Sequence, residues 1–419
     1  MGFGDVEVGG SGAAMRLLGV VLLLCAVLSG AGCQSGLSGS PAGDGPLIVV
    51  SAPLAAQPWI GRSVVRGAQL AIAQQAVVPG VAKGRLRLEI LDNNASPSTA
   101  VANARTAVSR NAAALITDGT GALAVSEVTD PASLPVFVVF DGGASFVDPV
   151  AHPTIFRLAP ANKYMSRRLA DYLAARRTQS IALISDDSSY GREGARQLSS
   201  DLAQNGLQVV KRIVLPVAAD DVSAQVLSAR RAGAKALLLW AGAPDVAQVI
   251  RAARSAGWTV PIFMSPTGED PLVRQQLADH PRWLDGATFV SFRITSEMGP
   301  APFQRFRTAY EQYFGPERVG MSAGGRPVLQ PPDWAMYSYD AMLLMSAALT
   351  ITAGATGAPL LAAVEGASVM GANGDQRGFG PEDREGVSAS DMYFGRFSDM
   401  RFAAVTDDAL STQLPVVAQ

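Results

Sequence analysis

Leu47-Ile-Val-Val-Ser51 is a short unbroken apolar run, and its sequel decides the fold class. Such a run, bounded by turn residues, reads as a buried strand. Behind it, Arg62–Gln75 carries Val64, Val65, Ala68, Ala71 and Ile72 at helical spacing. Arg85–Leu91 then alternates, with Leu86, Leu88 and Ile90 on one face, as a strand does. Ser98–Arg110 reads as helix, Ala112–Thr117 as strand, the stretch to Asp130 as helix and Pro135–Phe140 as strand. The pattern restarts with strand Ser180–Ser185, helix Gly191–Asn205, strand Val209–Leu215, helix Val222–Ala232, strand Ala236–Trp240, helix Pro244–Ala256 and strand Pro261–Met264. Alternation at this spacing means a parallel sheet covered on both faces, and the restart means two of them. The expected fold is α/β, with two doubly wound parallel-sheet lobes in tandem.

Beyond Gly286–Phe292, helices are expected at Pro302–Phe314 and Asp333–Thr352. In the second, Trp334, Tyr337, Ala341, Leu344 and Ala348 recur about once per turn, so this helix packs on a lobe. Gly315–Pro332 and Ala353–Glu385 read as loops, and Asp391–Val405 as two short strands.

Composition narrows the function. The chain has 419 residues, room for roughly two to three domains. With 48% hydrophobic and 17% charged residues it is too apolar to be disordered. A net charge of −2 lacks the basic field that nucleic acid demands. Two His and two Cys exclude a Cys-rich zinc module, an iron–sulfur cluster on four Cys and a disulfide scaffold, so no metal or cofactor is expected.

Residues 1–33 read as an address. Arg16, the apolar run to Leu28 and small residues before Cys33 make a secretory signal, with Met15 a better start than Met1. Small residues followed by Cys33 resemble a bacterial lipoprotein cleavage site, which implies lipid attachment at Cys33. Residues 34–46, rich in Gly, Ser and Pro, read as a flexible tether. The expected location is the cell envelope, outside the cytoplasm and anchored by lipid.

In open α/β sheets, ligands lie beyond the carboxyl ends of the strands. The loops to search are therefore 51–61, 92–96, 118–122, 141–145, 186–191, 240–244 and 265–270. One motif there is a decoy. Gly119-Thr-Gly121-Ala-Leu-Ala124, with Asp141 twenty residues past Gly121, copies a dinucleotide fingerprint. It follows the third strand of its lobe rather than the first, so it reads as a tight turn. G-x-S-x-G, H-E-x-x-H and phosphate-loop motifs are absent. His152 and His280 sit in isolated loop contexts, and no enzyme constellation emerges. Trp59, Tyr190 and Trp240 stand at strand ends or loops, where a ring serves equally as packing or as pocket wall.

A series of segments now forms a pattern: Ala52-Pro-Leu, Arg66-Gly-Ala-Gln-Leu-Ala, Leu88-Glu-Ile-Leu-Asp-Asn, Pro135-Val-Phe-Val-Val, Ile181-Ala-Leu-Ile-Ser-Asp, Tyr190-Gly191, Arg254-Ser-Ala-Gly-Trp and Tyr339-Asp-Ala. In this order they resemble the type I periplasmic solute-binding proteins of ABC transporters, in the leucine/isoleucine/valine-binding branch. The resemblance covers residues 47–350 and, more loosely, the stretch to 405. It implies two lobes joined by a three-segment hinge near Leu158–Ala161, Val290–Phe292 and Ala389. The N-terminal lobe would comprise 47–159 plus 290–388, and the C-terminal lobe 160–289 plus 389–412. It implies a small polar solute, an amino acid or an amide-like molecule, held by Thr120, Gly121, Gly143, Ala144 and Ser145 on one side. On the other side it implies Tyr190 and the acid Glu269, with Trp59 or Ile60 from the first loop, and Trp240 joins them from its own strand-end position. It further implies an ABC permease as membrane partner, a monomer and no catalysis.

Asp118 and Asp141 leave two alternatives open. Facing the cleft, they repel a ligand carboxylate and favour a neutral, amide-like or cationic solute. Turned away as caps, they leave an amino-acid site intact. Two rival functions also stand beside solute transport: a same-fold regulatory lipoprotein that binds a protein partner, such as a cell-wall synthase activator, and a secreted α/β enzyme.

Overall fold

The computed structural model describes residues 45–75, 86–292 and 300–405. The address segment, Cys33 and most of the tether lie outside the described residues.

The chain opens with β1 (Leu47–Ala52), α1 (Pro58–Gln75), β2 (Arg87–Asp92), α2 (Pro97–Ser109), β3 (Ala114–Thr117), α3 (Ala122–Thr129), β4 (Val136–Val138) and β5 (Ile155–Arg157). These five strands form one parallel sheet in the order β2-β1-β3-β4-β5. Next come α4 (Asn162–Ala175), β6 (Ile181–Asp186), α5 (Ser189–Gln204), β7 (Val209–Leu215), α6 (Ser223–Arg231), β8 (Ala236–Trp240), α7 (Ala243–Ser255), β9 (Ile262–Met264), α8 (Pro271–Gln276) and β10 (Thr288–Phe292). Their strands repeat the same order, β7-β6-β8-β9-β10. In each sheet the order reverses beside the first strand, the switch point at which α/β ligands bind. Two doubly wound lobes are therefore present, as the alternation implied.

The remainder is α9 (Ala301–Phe314), β11 (Glu317–Met321), β12 (Pro327–Gln330), α10 (Ala335–Ile351), α11 (Ala358–Gly366), β13 (Ser368–Met370), β14 (Gln376–Gly378), β15 (Met392–Ser398) and β16 (Arg401–Ala404). Strands β15 and β16 extend the second sheet antiparallel from β10. The free edge of β5 is also occupied: Arg157 exchanges backbone hydrogen bonds with Arg384 and Gly386, each at 2.8 Å.

Two regions differ from the loop reading. Gly315–Pro332 contains the β11–β12 hairpin, and Ala353–Glu385 contains α11 and the β13–β14 hairpin. Their strands are three to five residues long and flanked by Gly and Pro, too short for a period-two pattern to stand out. Helix α4 and strand β5 also escape the periodicity reading. Helix α4 begins Asn-Lys-Tyr-Met-Ser-Arg-Arg, a polar opening with no capping side chain.

Apolar burial follows the sheets. Strands β1, β3, β4, β5, β6 and β8 are buried at every residue, as strands sandwiched between helices must be. Helix α10 is buried on nearly all sides and packs along α1. Gly67 permits that approach, because a side chain there would overlap the Ala335 carbonyl and the Ser338 hydroxyl.

Candidate functional site

The strand-end loops on the β1–β5 side are built from local caps. Asp118 ends β3 and accepts from Asn93 Nδ2 at 2.7 Å, Thr120 Oγ1 at 2.5 Å and the Thr120 amide at 3.3 Å. Burial pushes its pKa up, and these donors work against the rise. Gly121 then starts α3 with φ of +67°, a conformation that glycine adopts freely. The Gly-x-Gly stretch is thus a turn closed on its own side chains, which accounts for the false dinucleotide motif. Asp141 follows β4 and turns back to accept the Gly143 amide at 2.7 Å. Burial raises its pKa to about 6. The Gly143 amide and Arg157 oppose that rise, while Glu193 and Asp118 add to it. Both aspartates act as turn caps. Asp141 still has one oxygen, Oδ2, with no protein partner among the described residues.

Gly143 is held from both ends, since Arg157 donates to its carbonyl. Arg157 is buried and also pairs with Glu385 at 2.7 Å, and Glu385 takes Lys163 of α4 at 2.8 Å. The Ala144 amide donates to Glu193 Oε1 of α5 at 3.1 Å, a contact between the two lobes. Exposed Ser145 borders an open depression of about 460 Å³ next to it.

On the second sheet, Asp186 caps the turn after β6 and accepts from the Ser188 hydroxyl and the Gly242 amide at 2.5 Å. Tyr190 opens α5, and its hydroxyl accepts from Thr267 Oγ1 at 3.3 Å. Burial pushes the Tyr190 pKa up to about 12, with its contacts to Ser265 and Thr267 opposing. The Tyr190 ring lies 5.9 Å from that of Trp240, which is fully buried with its indole against Gly194. Of the expected wall rings, Trp240 therefore lies beneath the surface.

Glu269, 1% exposed, sits in a 3-10 turn after β9. It accepts the Trp334 indole N–H at 2.8 Å and the Ser291 hydroxyl. Trp334, 6% exposed, stacks on Phe140 with ring centroids 4.1 Å apart. Half-buried Trp59 meets Phe140 edge-on at 5.8 Å and Trp334 at 6.4 Å. Each such aromatic pair contributes about 0.5–1.5 kcal/mol beyond its area. The helical spacing places Trp334 in a packing stripe, and no motif in the sequence singles out Phe140, Ser291 or Glu193 for the site. Phe140 carried a signal, since it precedes Asp141 at a strand end. Trp334 and Ser291 carried none, because their partner is 65 and 22 residues away.

One Ser–His contact deserves a chemical test. Ser126 Oγ lies 2.9 Å from His152 Nδ1, but the hydroxyl is buried and donates to the Leu123 carbonyl at 2.7 Å. Nδ1 is then the donor to Ser126 and cannot take its proton, so the pair braces a loop. Among the described residues, no group of three or more His, Cys, Asp or Glu could hold a metal ion. No described helix is long and apolar enough to cross a membrane.

Two doubly wound lobes of identical strand order, meeting near their strand ends, define a two-lobed α/β binding protein. The periplasmic binding protein family matches residues 46–401, and the chain belongs to that family. Membership places it among binding proteins rather than enzymes. No curated protein matches the chain. Among solved structures, a periplasmic binding protein type 1 from Bordetella pertussis Tohama I is similar at 20% identity and a TM-score of 0.73, covering 86% of this chain and 100% of its own. An ABC transporter substrate-binding protein from Desulfitobacterium hafniense, in complex with Leu, is 19% identical with a TM-score of 0.70, covering 86% and 100%. A solute-binding protein from Rhodopseudomonas palustris BisB5, in complex with 3,4-dihydroxy benzoic acid, is 19% identical with a TM-score of 0.72, covering 86% and 96%. At these identities the likeness speaks for the fold, and the bound molecules differ among the neighbours.

Proposed function

We propose that this protein is an extracytoplasmic solute-binding lipoprotein of an ABC importer, tethered through Cys33 and delivering a small polar solute to a membrane permease. The lobes divide near the three crossovers that the resemblance implies, with Val290–Phe292 staying in the second sheet as part of β10, and they close on the solute about those crossovers. One observation carries the reading. The Ala144 amide after β4 of one sheet reaches Glu193 of α5, the helix that follows β6 of the other, so the strand-end sides of the two sheets face each other. The residues we assign to the solute are Trp59, Thr120, Gly121, Gly143, Ala144, Ser145, Tyr190 and Glu269, with Trp240 supporting Tyr190 from beneath. Leucine and a dihydroxybenzoate occupy neighbouring folds, so the solute class has to come from this cleft.

A second reading, a regulatory lipoprotein that binds a protein partner, is favoured by one observation. Trp334 fills the strand-end space and already holds Glu269.

Thermal unfolding of the refolded, ligand-stripped chain against amino acids, amides, amines and aromatic acids tests the first reading. A solute at a hundred times its dissociation constant adds about 2.7 kcal/mol, an evident rise in Tm. A flat response across the panel favours the protein-binding reading.

A further inference from the structure

The β11–β12 hairpin is a strap fastened to both lobes. At its start, Glu317 accepts from Arg62 of α1 at 2.7 Å and lies 3.7 Å from Arg66. In its turn, the Ala323 amide donates to Asp399 Oδ1 at 2.6 Å, beside the β15–β16 turn. Val328 is 1% exposed and belongs to the same apolar cluster as Val273, Leu277 and Phe289 under the second sheet. At its end, buried Arg274 of α8 donates to the Gln330 side chain and, at 3.4 Å, to the Leu329 carbonyl. Four residues past Gln330 comes Trp334. Its ring stacks on Phe140 from the end of β4, and its N–H reaches Glu269 from the turn after β9. It therefore bridges strand ends of both sheets, at the place where the proposed solute would sit.

We propose that Trp334 is a built-in occupant of the solute site, delivered by the strap, and that a solute enters by taking its place against Phe140 and Glu269. The inference rests on the solute-binding reading above. Departure of the indole removes the Phe140 stack and takes a donor from a buried carboxylate, and both losses oppose opening. A ligand holds the site when it returns both. The ligand class is thus a molecule that joins an N–H donor to a flat apolar surface. A free carboxylate at Glu269 meets like charge instead.

Isothermal titration of the full chain with tryptamine, benzoate and leucine tests this. Parent, Trp334→Ala, Trp334→Phe and the Trp334→Ala/Glu269→Gln pair are compared, with circular dichroism as the check on folding. Trp334→Ala is expected to bind tryptamine about tenfold more tightly or better, because the competent state is no longer shared with an internal competitor. Adding Glu269→Gln removes that gain, and benzoate does not acquire it. If Trp334→Ala does not fold, Trp334→Phe keeps a ring and lacks the N–H, and a smaller rise in the same direction is expected. Equal tryptamine affinity in the parent and the Trp334 variants overturns the occupant and leaves the solute reading standing. Benzoate bound more tightly than tryptamine overturns the ligand class. Silence of all folded proteins toward all three probes overturns the occupant and the solute reading together.

Discussion

Two buried arginines in this molecule are held in opposite ways. Arg377 of β14, 1% exposed, pairs with Asp340 of α10 at 3.1 Å and with Asp391, just before β15, at 2.9 Å, and it donates to Asn373 Oδ1 at 3.1 Å. Burial works to lower its pKa, but the two aspartates more than offset that and push it up. Arg274 of α8, also buried, has neutral acceptors instead: the Gln330 side chain and the Leu329 carbonyl. Its Nε has no partner among the described residues, and burial brings its pKa down to about 9 against the pull of Glu269 and Asp270. The first cluster locks a hairpin and a helix to the segment leading into β15. The second fastens the strap, and neutral acceptors let go of a cation at less cost than carboxylates do. The contrast is between a cation held by carboxylates and one held by neutral groups.

The largest expected effect tests the locked side. Arg377→Met leaves Asp340 and Asp391 buried without their cation and should cost about 3–5 kcal/mol of unfolding free energy in a urea titration. A loss below that of any ordinary surface substitution would show that the pair contributes nothing. Arg274→Met removes a cation whose hydrogen-bond acceptors are neutral and on which Glu269 and Asp270 act only from a distance. Its expected cost is smaller, about 1–3 kcal/mol by the same titration. If both variants lose equally, the distinction between lock and fastening fails.

The smallest effect sharpens the comparison with a third, half-buried charge, Asp141, whose partner is an amide. Its folded pKa of about 6 exceeds its ordinary 3.8, so the folded state binds the proton more readily. Its stabilising contribution is full below the lower value and is lost as pH rises through the upper one. Unfolding at about pH 4.5 and about pH 7 should therefore show a part of the acid-side gain that Asp141→Asn abolishes. An unchanged pH profile in Asp141→Asn would place the titration elsewhere.

Most of the sheet was legible because a buried parallel strand is written in consecutive residues. Strands β1, β3, β6 and β8 are read from single apolar runs such as Ala236–Trp240. Loop positions were legible for the same reason, since strand ends mark them. The hairpins were not, because three-residue strands such as Gln376–Gly378 carry no period. The chemistry of the loops was not legible: the sequence leaves Asp118 and Asp141 open between turn cap and cleft wall, and the choice rests on contacts such as Asn93 to Asp118, 25 residues apart. Glu269 is different: its type and place could be read, but its donor comes from a strap whose route is fixed by tertiary packing.

The returning chain has one more effect, which concerns neighbouring molecules. An unpaired strand edge is a template for another chain. Here β15 and β16 occupy the edge of β10, and residues 384–386 occupy the edge of β5. On the far edge of the second sheet, β7 presents exposed Lys211 and Arg212 side by side. An incoming strand there would have to desolvate two cations. The crossings that let the chain pass between lobes thus also remove the β5 and β10 edges as templates when many copies crowd together.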